Sequence, residues 1–183
     1  MQPGEVDEGH RMTSQEQAEP HVLGSLRSAD GNGIARMEDR LGAGIDEVWS
    51  ALTEPGRLAR WLGEFDGDLH LGGTYRSRFH SSGAEATGRI EACESPRRFI
   101  VATKGQHAPN EQVIEVTLTA DGDGTILVVE QRGLRLEWLA IFAAGLQIHV
   151  EDLAAHLAGG ERGDSDARMG ELVPAYEGIA IDG

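Results

Sequence analysis

Cysteine is nearly absent. The single one, Cys93, excludes any internal disulfide and suits a reducing cytoplasm. Cations are scarce: 16 Lys and Arg stand against 31 Asp and Glu, a formal net charge of -15, and no basic run occurs. A phosphate backbone or an anionic bilayer would on average repel such a chain, so neither nucleic acid nor membrane is an expected partner. Long apolar runs are missing as well. The longest, Trp138 to Leu146, is too short to span a bilayer. The opening residues MQPGEVDEGHRM lack a basic stretch followed by an apolar one, so no secretory leader is expected there. The expected location is therefore cytoplasmic. What remains is 183 residues, enough for one ordinary domain with a core plus tails.

The chain is organised around DEVWSALTEPGRLARW, Asp46 to Trp61. Val48, Trp49 and Leu52, then Leu58, Trp61 and Leu62, give the three-and-four spacing of two short amphipathic helices. Pro55 fits the opening turn of the second, where a missing N–H costs nothing, and Thr53 is a candidate cap. Before this pair, residues 1–32 are polar and acidic, with little apolar surface besides Val22, Leu23 and Leu26. That is too little to offset ordering entropy, so a disordered acidic extension is expected, with at most a weak turn of helix near Val22. Gly33 to Leu41 alternates as a first strand.

After Trp61 the period is two. Expected strands are Gly67–Leu71, Thr74–His80, Ala84–Cys93, Arg98–Thr103, Gln112–Thr119 and Thr125–Gln131, separated by Gly72-Gly73, Ser81-Ser82-Gly83, Ser95-Pro96 and Asp121–Gly124. Short connections imply an antiparallel meander. From Leu136 to Leu157 the period changes: residues 139, 142, 143, 146, 150, 153 and 157 are apolar, as in one long helix ended by Gly159-Gly160. A tail, residues 161–183, carries one possible short helix over Ala167–Ile179.

The segments VWSALTEPGRLARW, Gly72-Gly73 before TYRSRF, GRIEACESPRRF, DGDGTILVVEQRG and LQIHVEDLAAHLAGG, taken in this order, resemble the activator of heat-shock-protein-90 ATPase homologue family. That family belongs to the START-like (SRPBCC) superfamily of helix-grip folds. The resemblance covers residues 33–160. Members often carry a Gly-Trp pair in the last helix, where this chain has Gly145-Leu146. The resemblance implies an α+β helix-grip fold: a curved antiparallel sheet wrapped around a long C-terminal helix, with two short helices after the first strand. It also implies a cavity between sheet and helix that takes a small hydrophobic molecule. The residues expected to line it are Trp61, Tyr75, Phe79, Ile114, Val116, Trp138, Phe142 and His149, with Trp49 as plain core.

No cofactor and no metal are expected. His149, Asp152 and His156 share a helix side, but nothing like His-Glu-x-x-His accompanies them. Arg76, Arg78 and His80, with Arg89 nearby, offer either a carboxylate anchor or a solvated outer face. Acidic neighbours Glu91 and Glu94 argue against an activated Cys93. The Gly122–Gly124 stretch lacks a phosphate-loop ending and reads as a hairpin. Three readings of function stand: a binding domain for a hydrophobic molecule, a cyclase- or hydratase-type enzyme using His80, His149 or Tyr75, and a protein-interaction domain with a chaperone, another partner or a second copy.

Overall fold

The computed structural model describes residues 21–106, 108 and 110–183. Its first strand, β1 (Gly24–Ala29), lies within the stretch expected to be disordered. It pairs antiparallel with β2 (Asn32–Leu41) across Asp30-Gly31, whose φ angles of 51° and 76° are both positive. Asp-Gly is the dipeptide that meets this hairpin requirement without strain. Leu26 anchors the strand, being only 2% exposed. The expectation is thus corrected for residues 21–32: Leu26 is buried, Val22 and Leu23 pack against the core, and the neighbouring strand supplies the backbone hydrogen bonds. No helical turn forms near Val22. The expectation for residues 1–20 lies outside the described residues.

The helix pair forms as read: α1 (Ile45–Thr53) and α2 (Pro55–Trp61). Thr53 does not cap α2. Its hydroxyl donates to the Trp49 carbonyl at 2.8 Å, and Glu54 occupies the cap position. The Ala51 carbonyl faces a specific deficit. Its regular helical donor would be residue 55, and proline has no N–H. The Trp61 indole Nε1–H fills the gap, donating to Ala51 at 3.0 Å.

Strands β3 (Gly63–Gly67), β4 (Thr74–Phe79), β5 (Glu85–Glu94), β6 (Arg98–Gly105), β7 (Gln112–Asp121) and β8 (Gly124–Leu134) follow. The strand expected at Gly67–Leu71 is displaced to β3. Residues 68–73 instead form a turn in which Asp68 Oδ1 accepts the His70 N–H at 2.9 Å. A three-residue helical turn over Leu136–Trp138 leads into α3 (Leu139–Leu157), so the long helix starts one turn later than its periodicity suggested. Helix α4 (Ser165–Glu177) and a short strand β9 (Ile181–Asp182) complete the chain.

The described strands form one sheet in the order β3-β4-β5-β6-β7-β8-β2-β1-β9. Pairing is antiparallel except between β1 and β9. Helix α3 packs chiefly on β2, α2 and α4. The main core lies there, around Met37, Val48, Leu127, Leu139 and Leu153. The tail is part of this core, since Leu172 and Tyr176 of α4 are 0% and 1% exposed. Tyr176 donates to Gln147 Oε1 on α3 at 2.6 Å.

Candidate functional site

The sheet has two wings. Under β2 and β1 it is covered by α3. At β4–β6 a second, small cluster forms from Tyr75, Ile90 and Val101, joined to the main core only through the partly buried Phe65, Leu69 and Phe99. Strand alternation turns Tyr75, Ser77 and Phe79 inward, because Arg76 and Arg78 between them are exposed. Between this wing and α3 the inward residues stay half-buried: Phe65, Phe79, Phe99 and Ile114 from the sheet, Phe142 and His149 from the helix. Half-buried apolar side chains on facing elements are the usual lining of a small-molecule site. That interval is the candidate site.

His149 bridges its width. Its ring stacks on Phe79, with centroids 5.4 Å apart, and Nε2 lies 2.9 Å from Ser81 Oγ in the β4–β5 turn. Burial pushes the imidazole down to about 4, so it is neutral near pH 7. Phe65 packs on Tyr75 and Phe79 at 5.4 and 6.2 Å. Tyr75 lies across Gly88: a Cβ there would sit 2.3 Å from Tyr75 Cζ, so only glycine admits the ring. Burial raises the Tyr75 phenol to about 12, partly opposed by Thr103.

A polar band crosses this otherwise apolar face. The register Tyr75–Gly88–Thr103–Gln112 runs over β4 to β7, and Gln131 on β8 donates to Gln112 Oε1 at 2.7 Å. Tyr75, Thr103, Gln112 and Gln131 each keep 8–9% of their surface open. Ser77, beside Tyr75, has a buried Oγ without a hydrogen-bond partner. Sequence alternation alone could not have found this band, because a hydroxyl or amide at an inward strand position looks like any polar interruption.

The eight residues named from the sequence separate into groups. The fold brings Tyr75, Phe79 and His149 into linked contact, with Ile114 and Phe142 half-buried on facing sides. Val116 is 4% exposed and belongs to the main core. Trp61 was expected in the lining. At 3% exposure it is instead packed in the core, held there by its bond to Ala51. Trp138, expected in the lining, is 39% exposed, and the Arg135 guanidinium lies 4.9 Å over its ring. Its place on the helical turn before α3 faces it outward. Trp49, read as core, is half-buried, with its ring edge-on to Phe99 at 5.8 Å.

Other candidates diverge. Asp152 accepts the Gly163 N–H at 3.2 Å, while His156 lies 3.3 Å from Arg57. They share no point with His149, and no three His, Cys, Asp or Glu side chains group as a metal set among the described residues. Arg76 and Arg78 stand exposed on the outer face, and His80 Nε2 donates to the Ala59 carbonyl at 2.9 Å. A depression of about 510 Å³ opens beside Arg76, Arg89 and Lys104. It is on the side of the sheet away from α3 and is walled by charge, so it is not the space of a helix grip. Cys93 is free and exposed. No described helix is long and apolar enough to cross a membrane.

Similar folds are known. The crystal structure of CalU16 from Micromonospora echinospora superposes with a TM-score of 0.71 at 26% identity, over 87% of this chain and 96% of that one. DynU16, a protein of the dynemicin biosynthetic locus, matches with a TM-score of 0.65 at 27% identity, over 72% of this chain and half of that one. The solution structure of the product of gene BPP1335 from Bordetella parapertussis matches with a TM-score of 0.67 over 90% of this chain and 96% of that one. At 20% identity that likeness speaks for fold alone. A search of curated proteins returned no match. The family profile described as Activator of Hsp90 ATPase homolog 1-like protein matches residues 43–158, from the loop before α1 to the end of α3. The chain belongs to that family, with a START-like helix-grip fold.

Proposed function

We propose that this protein binds a small hydrophobic molecule between the β4–β6 wing and α3. The observation that carries the reading is the set of inward rings, Phe65, Phe79, Phe99 and Phe142, that face across the interval and stay half-buried. Apolar lining with a few convergent polar groups is the usual composition of a small-molecule site. The likeness to a protein of a biosynthetic locus is compatible with such a role. The test is titration with 1-anilinonaphthalene-8-sulfonate. Wild type should enhance dye fluorescence saturably, and Phe142→Ala should weaken the affinity at least fivefold. Unsaturable or absent enhancement would sink the reading.

One observation favours an enzyme as the second reading. His149 Nε2 lies 2.9 Å from the Ser81 hydroxyl at the edge of the site, a base within hydrogen-bond reach of a hydroxyl. Turnover of a substrate that vanishes in His149→Gln while dye binding persists would decide for it.

A further inference from the structure

The polar band narrows the class of ligand, and this inference rests on the binding reading above. Polar side chains are expensive inside a fold unless they are paired. Here Tyr75, Ser77, Thr103, Gln112 and Gln131 all point to the inner face, and all are more than nine-tenths buried. The pairing among them is incomplete. Gln131 donates to Gln112 and Thr103 donates to the Thr87 carbonyl at 3.2 Å, whereas Ser77 Oγ has no partner. Apolar residues at all of these inward positions together would avoid that cost if packing were their only task.

Their position along the strands gives the second half of the argument. Gln112 opens β7 and Gln131 lies near the end of β8, so the band runs beside the β6–β7 loop and the entry to α3. Apolar inward residues stand on both sides of the band: Ile90, Val101 and Ile114 share a row with Gln131, Phe99 and Val116 lie deeper, and Phe79 lies nearer the rim at the end of β4. The inner face is therefore an apolar surface interrupted by a hydrogen-bonding band. A pure hydrocarbon would bury the band against nothing. A ligand carrying a hydroxyl or carbonyl would lay its apolar body on the residues flanking the band and pair its oxygen with the band.

We infer that the ligand is an oxygenated amphiphile, an apolar ring or chain body bearing a hydroxyl or carbonyl, and that Tyr75, Gln112 and Gln131 select for that oxygen. Sites built to hydrogen-bond a hydroxyl discriminate strongly against the analogue that lacks it, because their own groups are then left unpaired.

The test compares 2-naphthol with 2-methylnaphthalene, which differ by OH against CH₃ at nearly equal size. Affinities are measured by following amide chemical shifts of the full chain. Wild type should bind 2-naphthol at least tenfold more tightly. In the double variant Gln112→Leu, Gln131→Leu, which removes both partners of one hydrogen bond at similar volume, the ratio should fall below threefold, mainly by loss of 2-naphthol affinity. Tyr75→Phe, which deletes one hydroxyl and leaves the ring over Gly88, gives an independent arm and should lower the ratio at least threefold. Equal affinities in wild type, or a ratio unchanged in both variants, would overturn the inference while leaving hydrophobic binding intact. Failure of both compounds to bind would instead refute the binding reading, and the inference with it.

Discussion

Trp61 offers the sharpest check on the physical account of the helix pair. Its side chain does two jobs that can be separated by substitution. Burying an aromatic ring removes about 150–250 Å² from water, and truncating a buried Trp to Ala costs about 3–5 kcal/mol. The indole N–H also serves the Ala51 carbonyl, which Pro55 leaves without its helical donor. Trp61→Phe keeps most of the ring and deletes that donor. The orphaned carbonyl sits on a residue with 0% exposure, so water cannot replace the bond cheaply. The expected loss is about 1–3 kcal/mol. With a urea m-value of about 2 kcal/mol/M, Trp61→Ala should lower the unfolding midpoint by roughly 2 M and Trp61→Phe by roughly 1 M. The assay is equilibrium urea unfolding followed by far-UV circular dichroism, with dye affinity measured in parallel. A Trp61→Phe variant within ~0.3 kcal/mol of wild type would refute the capping argument. A Trp61→Ala variant of unchanged stability and weakened dye binding would return Trp61 to the lining of the site.

Two further outcomes are expected. His149 is held neutral in the fold, with its pKa pushed from 6.5 down to about 4, so the unfolded chain binds the extra proton first. Its contribution is complete above about pH 6.5 and is lost as pH falls toward 4, on the order of 3 kcal/mol in all; His149→Phe should flatten the stability profile across that window, and an unchanged profile would show that His149 is not its source. Tyr176→Phe removes the hydroxyl that donates to Gln147, whose Oε1 also accepts the Leu23 N–H at 3.1 Å; stability should fall by about 1 kcal/mol and hydrogen exchange at Leu23 should quicken, whereas unaltered exchange would mean that α4 does not brace the start of β1.

The order of elements from β2 to α4 and most of their limits were legible in the residues, because these depend on local chemistry. Period-two alternation marked Thr74–His80 and Gln112–Thr119, which became β4 and β7, and the change of period after Gly133 marked α3. Proline at 55 divided the helix pair. Even β1 had a local signal in Asp30-Gly31, outweighed by the polar composition around it. Which aromatic serves which purpose was decided only in three dimensions. Trp61 and Trp138 both stand at helix ends, yet one is 3% exposed and the other 39%. The difference arises because α2 is clamped between α1, α3 and β3, whereas the turn before α3 projects from the end of β8. The candidate site has the same origin. Gly88 makes room for a tyrosine one strand away, and Gln112 meets Gln131 across β7 and β8. Such neighbours are fixed by sheet register and by how far α3 stands from the wing, quantities that no stretch of sequence carries alone.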